Sequence, residues 1–345
     1  MARIIVVTSH PPLAEGGHLV IAHALVNALN EHGHEAGLVT TPQNRFGRQL
    51  SAYVATRLTD VGLTFDDRRV DQVISLRYPS YAVRHPMHTS WLNHRMREYY
   101  DLWERTIAPL SHPARLKERV RRRLIHSLDH YFLSRVTRLF AQSKTIQARL
   151  ARSGLAADVL YPPAPQRHYA CDEYGDYLFV VSRLAPHKRV DLVVRALAEP
   201  AAAGVRCVIA GTGEELPNLR RLAVRLGVDG RVEFLGRIDD AALVRRLAGC
   251  RAVCFPPYQE DYGLVTAEAF ASARPVITCT DSGGPAEMVQ HGVQGLVCEP
   301  NSSALAAAMR ELMEDRNRAV VMGEAARATA TGMSWQATVE RLVVS

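Results

Sequence analysis

The sequence predicts an α/β protein made of two doubly wound, Rossmann-like domains with parallel sheets. Three observations predict it. The 345 residues are too many for one ordinary core and suit two. Short apolar, strand-like runs alternate with helix-period stretches through both halves. Pro162, Pro163 and Pro165 interrupt that rhythm midway, where fixed φ angles end helices and favour an extended linker. The expected domains are 1–165 and 166–332, followed by a last segment at 333–345.

The first domain opens with a strand at Ile4–Thr8. A loop with Pro11, Pro12, Gly16 and Gly17 leads to a helix over Leu19–Leu29, which Gly33 closes before a strand at Ala36–Thr40. This β-loop-α-β unit begins a parallel sheet. Further strands are expected at Gln72–Leu76, Thr89–Leu92, Arg138–Ala141 and Val159–Tyr161, with an arginine-rich helix over Ala114–Arg135. The second domain repeats the rhythm with strands at Tyr177–Val181, Arg206–Ala210, Val232–Leu235, Ala252–Phe255, Val276–Thr278 and Gly295–Cys298. Helices are expected at Asp191–Ala198, Glu215–Leu226, Ala241–Ala248, Val265–Ala273 and Ala304–Met313, and a final one at Trp335–Val344. Open parallel sheets bind ligands beyond the carboxyl ends of their strands, so two facing domains would form a central cleft for two substrates.

Composition narrows the function classes. Hydrophobic residues at 47% and charged residues at 22% describe a globular chain. No apolar run of about 18 residues could span a membrane, and the first strand is too short for a signal peptide. The six cysteines form no Cys-x-x-Cys pair, which points to a reduced, cytoplasmic protein. The net charge is +7, but all except three of the 42 lysines and arginines are arginine, a bias to discount before reading it as nucleic-acid binding.

Two constellations carry chemistry. Arg183 and Lys188 follow the strand Tyr177–Val181, where two cations before a helix suit an oxyanion such as a diphosphate. Solvated surface cations are the plain alternative. Glu260 and Glu268 follow the strand Ala252–Phe255, one in a loop and one on the helix that begins near Gly263. Gly263 allows close backbone approach, the helix start offers free amides, and a carboxylate can accept from two sugar hydroxyls. The plain alternative is that Glu268 is a surface carboxylate and Glu260 a helix-start acid.

These segments, with Asp281-Ser282-Gly283-Gly284-Pro285-Ala286-Glu287 and Ser334-Trp335, resemble family 4 glycosyltransferases of the GT-B fold. The resemblance is dense over residues 160–345 and thinner before them. It implies retaining transfer from a nucleotide-diphosphate sugar, and a C-terminal helix that crosses back to an acceptor-facing first domain. By position, it makes Arg183 and Lys188 neutralise the leaving diphosphate. Glu260 and the backbone of Asp261, Tyr262, Gly263 and Leu264 hold sugar and phosphates, and Glu268 takes the ribose. Backbone near Arg237 and Ile238 meets the nucleobase. Asp261 departs from the family's usual pattern and would add a charge beside the sugar.

In the first domain, Glu15-Gly16-Gly17-His18 resembles the family's glycine pair, whose bare backbone approaches donor phosphate or acceptor. His94 stands where the family often has a pocket histidine, with His85 and His88 as rivals. An imidazole there could polarise an acceptor hydroxyl. The basic helix at 114–135 could meet an anionic membrane face, or be a solvated helix in an arginine-biased chain. No Asp-x-Asp triplet occurs, so no metal site is expected. No cofactor is expected beyond the nucleotide-sugar co-substrate, and the acceptor is an unidentified hydroxyl compound. Competing readings are an idle nucleotide-sugar or membrane-surface binding protein and a GT-B-like sugar-nucleotide epimerase.

Overall fold

A computed structural model describes residues 1–10, 16–43, 46 and 48–344. Pro11, Pro12 and Glu15 lie outside the described residues. The chain divides into two compact units, Met1–Pro162 with Trp335–Ser345, and Pro163–Ser334. Each is built on a six-stranded parallel sheet.

In the first unit the strands are β1 (Arg3–His10), β2 (Glu35–Pro42), β3 (Gln72–Ser75), β4 (His88–Leu92), β5 (Arg138–Ala141) and β6 (Asp158–Val159). Their order is β2-β1-β3-β4-β5-β6, so the winding reverses between β1 and β3. β3 and β4 are buried along their whole length, as strands covered on both faces must be. Helix His112–Leu133 is anchored by Asp129, a buried carboxylate that accepts from the hydroxyls of Tyr53, Tyr81 and Tyr100. Helix Trp335–Leu342 packs on this unit. Trp335 meets Trp91 edge to face at 6.2 Å, and Gln72 donates to the Leu342 carbonyl at 2.7 Å while accepting from the Val344 amide.

The second unit holds β7 (Tyr177–Val181), β8 (Arg206–Ala210), β9 (Val232–Gly236), β10 (Ala252–Cys254), β11 (Val276–Cys279) and β12 (Gly295–Cys298), in the order β12-β11-β10-β7-β8-β9. The chain winds outward from β7 to β9, then returns to place β10 on the other side of β7. The loops after β7 and β10 therefore leave neighbouring strands in opposite directions. That opens a crevice at the carboxyl end of the sheet, the position where doubly wound sheets bind ligands.

Among the described residues, five α-helices escape the periodicity reading: Gln49–Leu58, Trp103–Ile107, Lys144–Ala151, Gly284–Met288 and Arg316–Thr331. The longest explains why. Its buried stripe is Ala319, Met322, Gly323 and Ala326, one face by spacing but nearly all small side chains. The contact is so close that a Cβ on Gly323 would stand 2.2 Å from the Ala273 carbonyl oxygen and 2.0 Å from the Tyr174 hydroxyl. In an exposed helix, Gly→Ala stabilises by about 1 kcal/mol. Here overpacking reverses the sign, and Gly323→Ala should cost about 1–3 kcal/mol. Urea unfolding checks it; a midpoint at or above wild type contradicts the packing.

Candidate active site

The site is built on the two loops that flank the crevice of the second unit. After β7 the chain passes Ser182 and Arg183 and makes a single 3₁₀ turn, Pro186–Lys188, before helix Val190–Leu197. Arg183 is exposed, and its side chain makes no hydrogen bond or ion pair among the described residues. Ser182 Oγ is buried with no partner there. Lys188 does have a partner: its Nζ stands 2.7 Å from Glu260 Oε2.

After β10 the chain runs through Pro256 and Pro257 to Glu260, and helix Leu264–Ala271 starts at Gly263. Three backbone bonds join this loop to the one after β11: Gln259 N to Asp281 O (3.0 Å), Glu260 N to Ser282 O (2.9 Å) and Gly284 N to Glu260 O (2.9 Å). The Tyr258 amide reaches across to the His187 carbonyl at 2.7 Å. Gly263 has φ +83°, and a Cβ there would come within 2.7 Å of Pro285, so a side chain is doubly excluded. No side chain caps the helix, which leaves its first-turn amides and positive dipole end for a ligand. Asp261 and Tyr262 are buried, so the segment offers backbone more than side chains.

Glu268 lies one turn further along that helix and is buried, which excludes the surface-carboxylate alternative. Arg167 donates to it through Nη1 and to Asp240 through Nη2 at 2.9 Å; Tyr169 adds a long contact at 3.5 Å. Burial lifts the Glu268 carboxyl from 4.5 to about 7, against the pull of Arg167. Asp240 stands two residues past Ile238, as the first residue of helix Asp240–Gly249. Arg167 thus links Glu268 to the segment that follows Ile238. β9 lies two strands from β7, about 10 Å away by the usual strand spacing.

The residue that ties these loops together, Arg189, directly follows Lys188 and was not singled out in the sequence. Arg189 has φ +50°, in the left-handed region that side chains rarely occupy. Its guanidinium donates to both Asp281 carboxylate oxygens (2.9 and 2.6 Å), to the Pro256 carbonyl (2.8 Å) and to the Pro257 carbonyl (2.7 Å). One side chain therefore joins the loops after β7, β10 and β11. Arg167 was likewise missed. No local signal marks either residue in a chain so rich in arginine.

In the first unit, Gly16 is the N-cap of helix Gly17–Glu31, so no side chain caps that helix. His85 and His88 are structural: His85 contacts the Met87 and Val70 carbonyls, and His88 Nε2 contacts Ser75 Oγ at 2.8 Å. His94 Nδ1 lies 2.7 Å from the Arg95 carbonyl. A carbonyl only accepts, so Nδ1 carries the proton and Nε2 is left as an acceptor. Burial, aided by Arg77, pushes His94 down to about 3, so the ring is neutral near pH 7. Among the described residues, no group of three or more His, Cys, Asp or Glu could hold a metal ion.

Residues 167–329 match the family described as "Glycosyl transferases group 1". The matched segment is just under half of the chain. A D-inositol 3-phosphate glycosyltransferase of Nocardia farcinica is 38% identical over 176 residues, 48% of this chain and 39% of that protein. A GDP-mannose-dependent alpha-(1-6)-phosphatidylinositol monomannoside mannosyltransferase of Mycobacterium tuberculosis is 40% identical over 157 residues, 43% and 40% of the two chains. The matched stretch thus spans about two-fifths of each relative's length. Whole-chain likeness comes from solved structures. Anabaena HepE with UDP and glucose aligns over 99% of this chain and 98% of its own, at TM-score 0.73 and 18% identity. Sucrose-phosphate synthase from Thermosynechococcus elongatus aligns over 99% and 97%, at TM-score 0.76 and 16% identity. The fold is GT-B.

The Arg189 fork gives this section its test. Arg189→Gln removes most of four hydrogen bonds and leaves Asp281 without its cation. Two ends of the fork are partly screened, so the cost should be about 2 kcal/mol of unfolding free energy. Hydrogen exchange at the Tyr258, Gln259 and Glu260 amides should speed up more than in the β8 core. Uniform exchange across the unit would remove Arg189 as the tie.

Proposed function

We propose that this chain is a retaining, metal-independent glycosyltransferase whose donor is a nucleoside-diphosphate sugar. The observation that carries the reading is the gathering of Arg183, the Lys188–Glu260 pair, the uncapped start of helix Leu264–Ala271 and Glu268 around one switch crevice. In this reading Arg183 and the helix amides take the diphosphate. Glu268 takes the ribose hydroxyls, and backbone at Ile238 takes the base. Glu260 accepts from the sugar hydroxyls, and Lys188 moves toward the diphosphate as negative charge gathers there. The match of residues 167–329 to the glycosyl transferases group 1 family supports these assignments. Retention follows the family resemblance.

Transfer breaks the bond from the anomeric carbon to the diphosphate oxygen. The acceptor oxygen bonds that carbon on the same face, and its proton leaves with the diphosphate. His94, neutral and with Nε2 open as an acceptor, can orient an acceptor hydroxyl but is too weak a base to remove its proton alone. Metal independence rests on charge. Glu260, Glu268 and Asp281 already face Lys188, Arg167 and Arg189, so a divalent ion would have to displace a cation from each.

Peripheral membrane contact belongs to the same reading. Among the described residues no helix is long and apolar enough to cross a membrane. On helix His112–Leu133, however, Leu116, Val120 and Leu124 are exposed on successive turns among arginines. Such a face suits the interface of an anionic bilayer.

Two outcomes check the proposal. With UDP-, GDP- and ADP-sugars supplied in excess EDTA, wild type should turn over one donor. Arg183→Ala and Lys188→Ala should each lose on the order of 100-fold in kcat. Near-normal turnover in both variants, or activity that magnesium alone restores, contradicts it. Glu268 supplies a pH signature. Accepting from two ribose hydroxyls requires the ionised carboxylate, so nucleotide affinity should rise as pH increases through about 7 and level off above it. Glu268→Gln should bind more weakly and lose that component of the profile. Identical profiles in the two proteins would take the ribose away from Glu268.

A further inference from the structure

We propose that the first unit carries a second ligand site, a basic cavity that binds a phosphate monoester group. The cavity has a volume of about 820 Å³ and is walled by helix His112–Leu133, the segment after His94 and the end of helix Lys144–Ala151. None of Gly16, Gly17 or His94 lines it, and nothing in it depends on donor chemistry in the second unit.

Its charge is one-sided. Arg95, Arg122, Arg135, Arg149 and Arg152 line it against a single carboxylate, Asp101. That carboxylate is already held by Arg97 at 2.6 Å and faces Arg149 at 3.5 Å. A concave wall of low dielectric focuses the field of like charges, and their mutual repulsion is relieved by a bound anion.

Three of the cations are also pre-positioned. Arg95 stacks on Tyr100 at 3.8 Å and donates to Ser153 Oγ (2.9 Å) and to the Arg149 carbonyl (2.8 Å). Arg122 donates through Nε to the Tyr99 carbonyl at 2.9 Å and lies over Trp103 at 4.6 Å. Its two terminal nitrogens make no hydrogen bond among the described residues, and neither does the Arg152 side chain. Arg135 is held over Tyr131 at 3.7 Å, with one terminal nitrogen on the Tyr131 carbonyl. Fixed guanidinium planes with open N–H groups match phosphate oxygens and lose little entropy on binding. A carboxylate is satisfied by one such fork, whereas a phosphate monoester, with two charges and three terminal oxygens, can engage several. The volume suits a small molecule or a lipid headgroup, and the cavity is open to solvent.

The test uses the full chain with two probes. Calorimetry with glycerol 3-phosphate reads a soluble ligand. Flotation with phosphatidylcholine vesicles containing phosphatidic acid reads a lipid headgroup. Arg122→Gln with Arg152→Gln should weaken binding of at least one probe by about tenfold or more. Arg119→Gln with Arg123→Gln removes the same charge from exposed positions on the same helix outside the cavity and should leave that binding within about twofold. Leu116→Asp separates general membrane contact from the cavity, since it should lower vesicle binding without touching glycerol 3-phosphate. Loss of glycerol 3-phosphate binding confined to the cavity pair assigns a soluble ligand; loss confined to vesicles in the same pair assigns a lipid. Equal loss in both arginine pairs, or no binding of either probe by wild type, overturns the site.

Discussion

A single guanidinium sets the geometry on which the candidate donor site depends. Arg189 reaches two carbonyls of the β10 loop and both oxygens of Asp281 in the β11 loop, while its own backbone starts the helix after β7. The left-handed backbone at Arg189 carries a cost that four hydrogen bonds from one rigid plane can offset. Lys188 precedes it, and Glu260 lies three residues past Pro257. The distance from ammonium to carboxylate is therefore inherited from the Arg189 tie. A lysine at 189 would give one point charge in place of a fork and would leave carbonyls without donors.

The site's carboxylates follow a common pattern. Glu260, Glu268 and Asp281 are each closed by a cation from another loop, and a buried charge needs that partner to be tolerated. Ligand binding then becomes exchange. A ribose that takes Glu268 shares or displaces Arg167, and a sugar that takes Glu260 frees Lys188 for the phosphates. Arg183, exposed and unpaired among the described residues, is the cation that meets an anion without giving up a partner.

The parallel sheets were legible because their strands are continuous apolar runs such as Tyr-Leu-Phe-Val-Val at β7 and Val-Ile-Thr-Cys at β11, bounded by turns. Helix Arg316–Thr331 was not, because its buried face is alanine and glycine apart from Met322 and barely differs in hydrophobicity from its exposed face. The same divide runs through the site. Arg183, Lys188, Glu260 and Glu268 could be singled out because each follows a strand that ends at the crevice. Arg167 acts on Glu268 from 101 residues away and Arg189 on Asp281 from 92, so their partners exist only once the sheet is folded. The switch between β7 and β10 likewise emerges from strand order.

The most direct test of the donor-site account is calorimetric titration of the full chain, in EDTA, with a nucleoside, its monophosphate, its diphosphate and the matching diphosphate sugar. Uridine, guanosine and adenosine series should each be run. The account predicts that one base series binds, and that affinity rises by about tenfold or more from monophosphate to diphosphate as Arg183 and the helix start engage the second phosphate. It also predicts that Arg183→Ala removes that step while leaving nucleoside binding in place. Equal affinity for mono- and diphosphate, or no binding in any series, would contradict it.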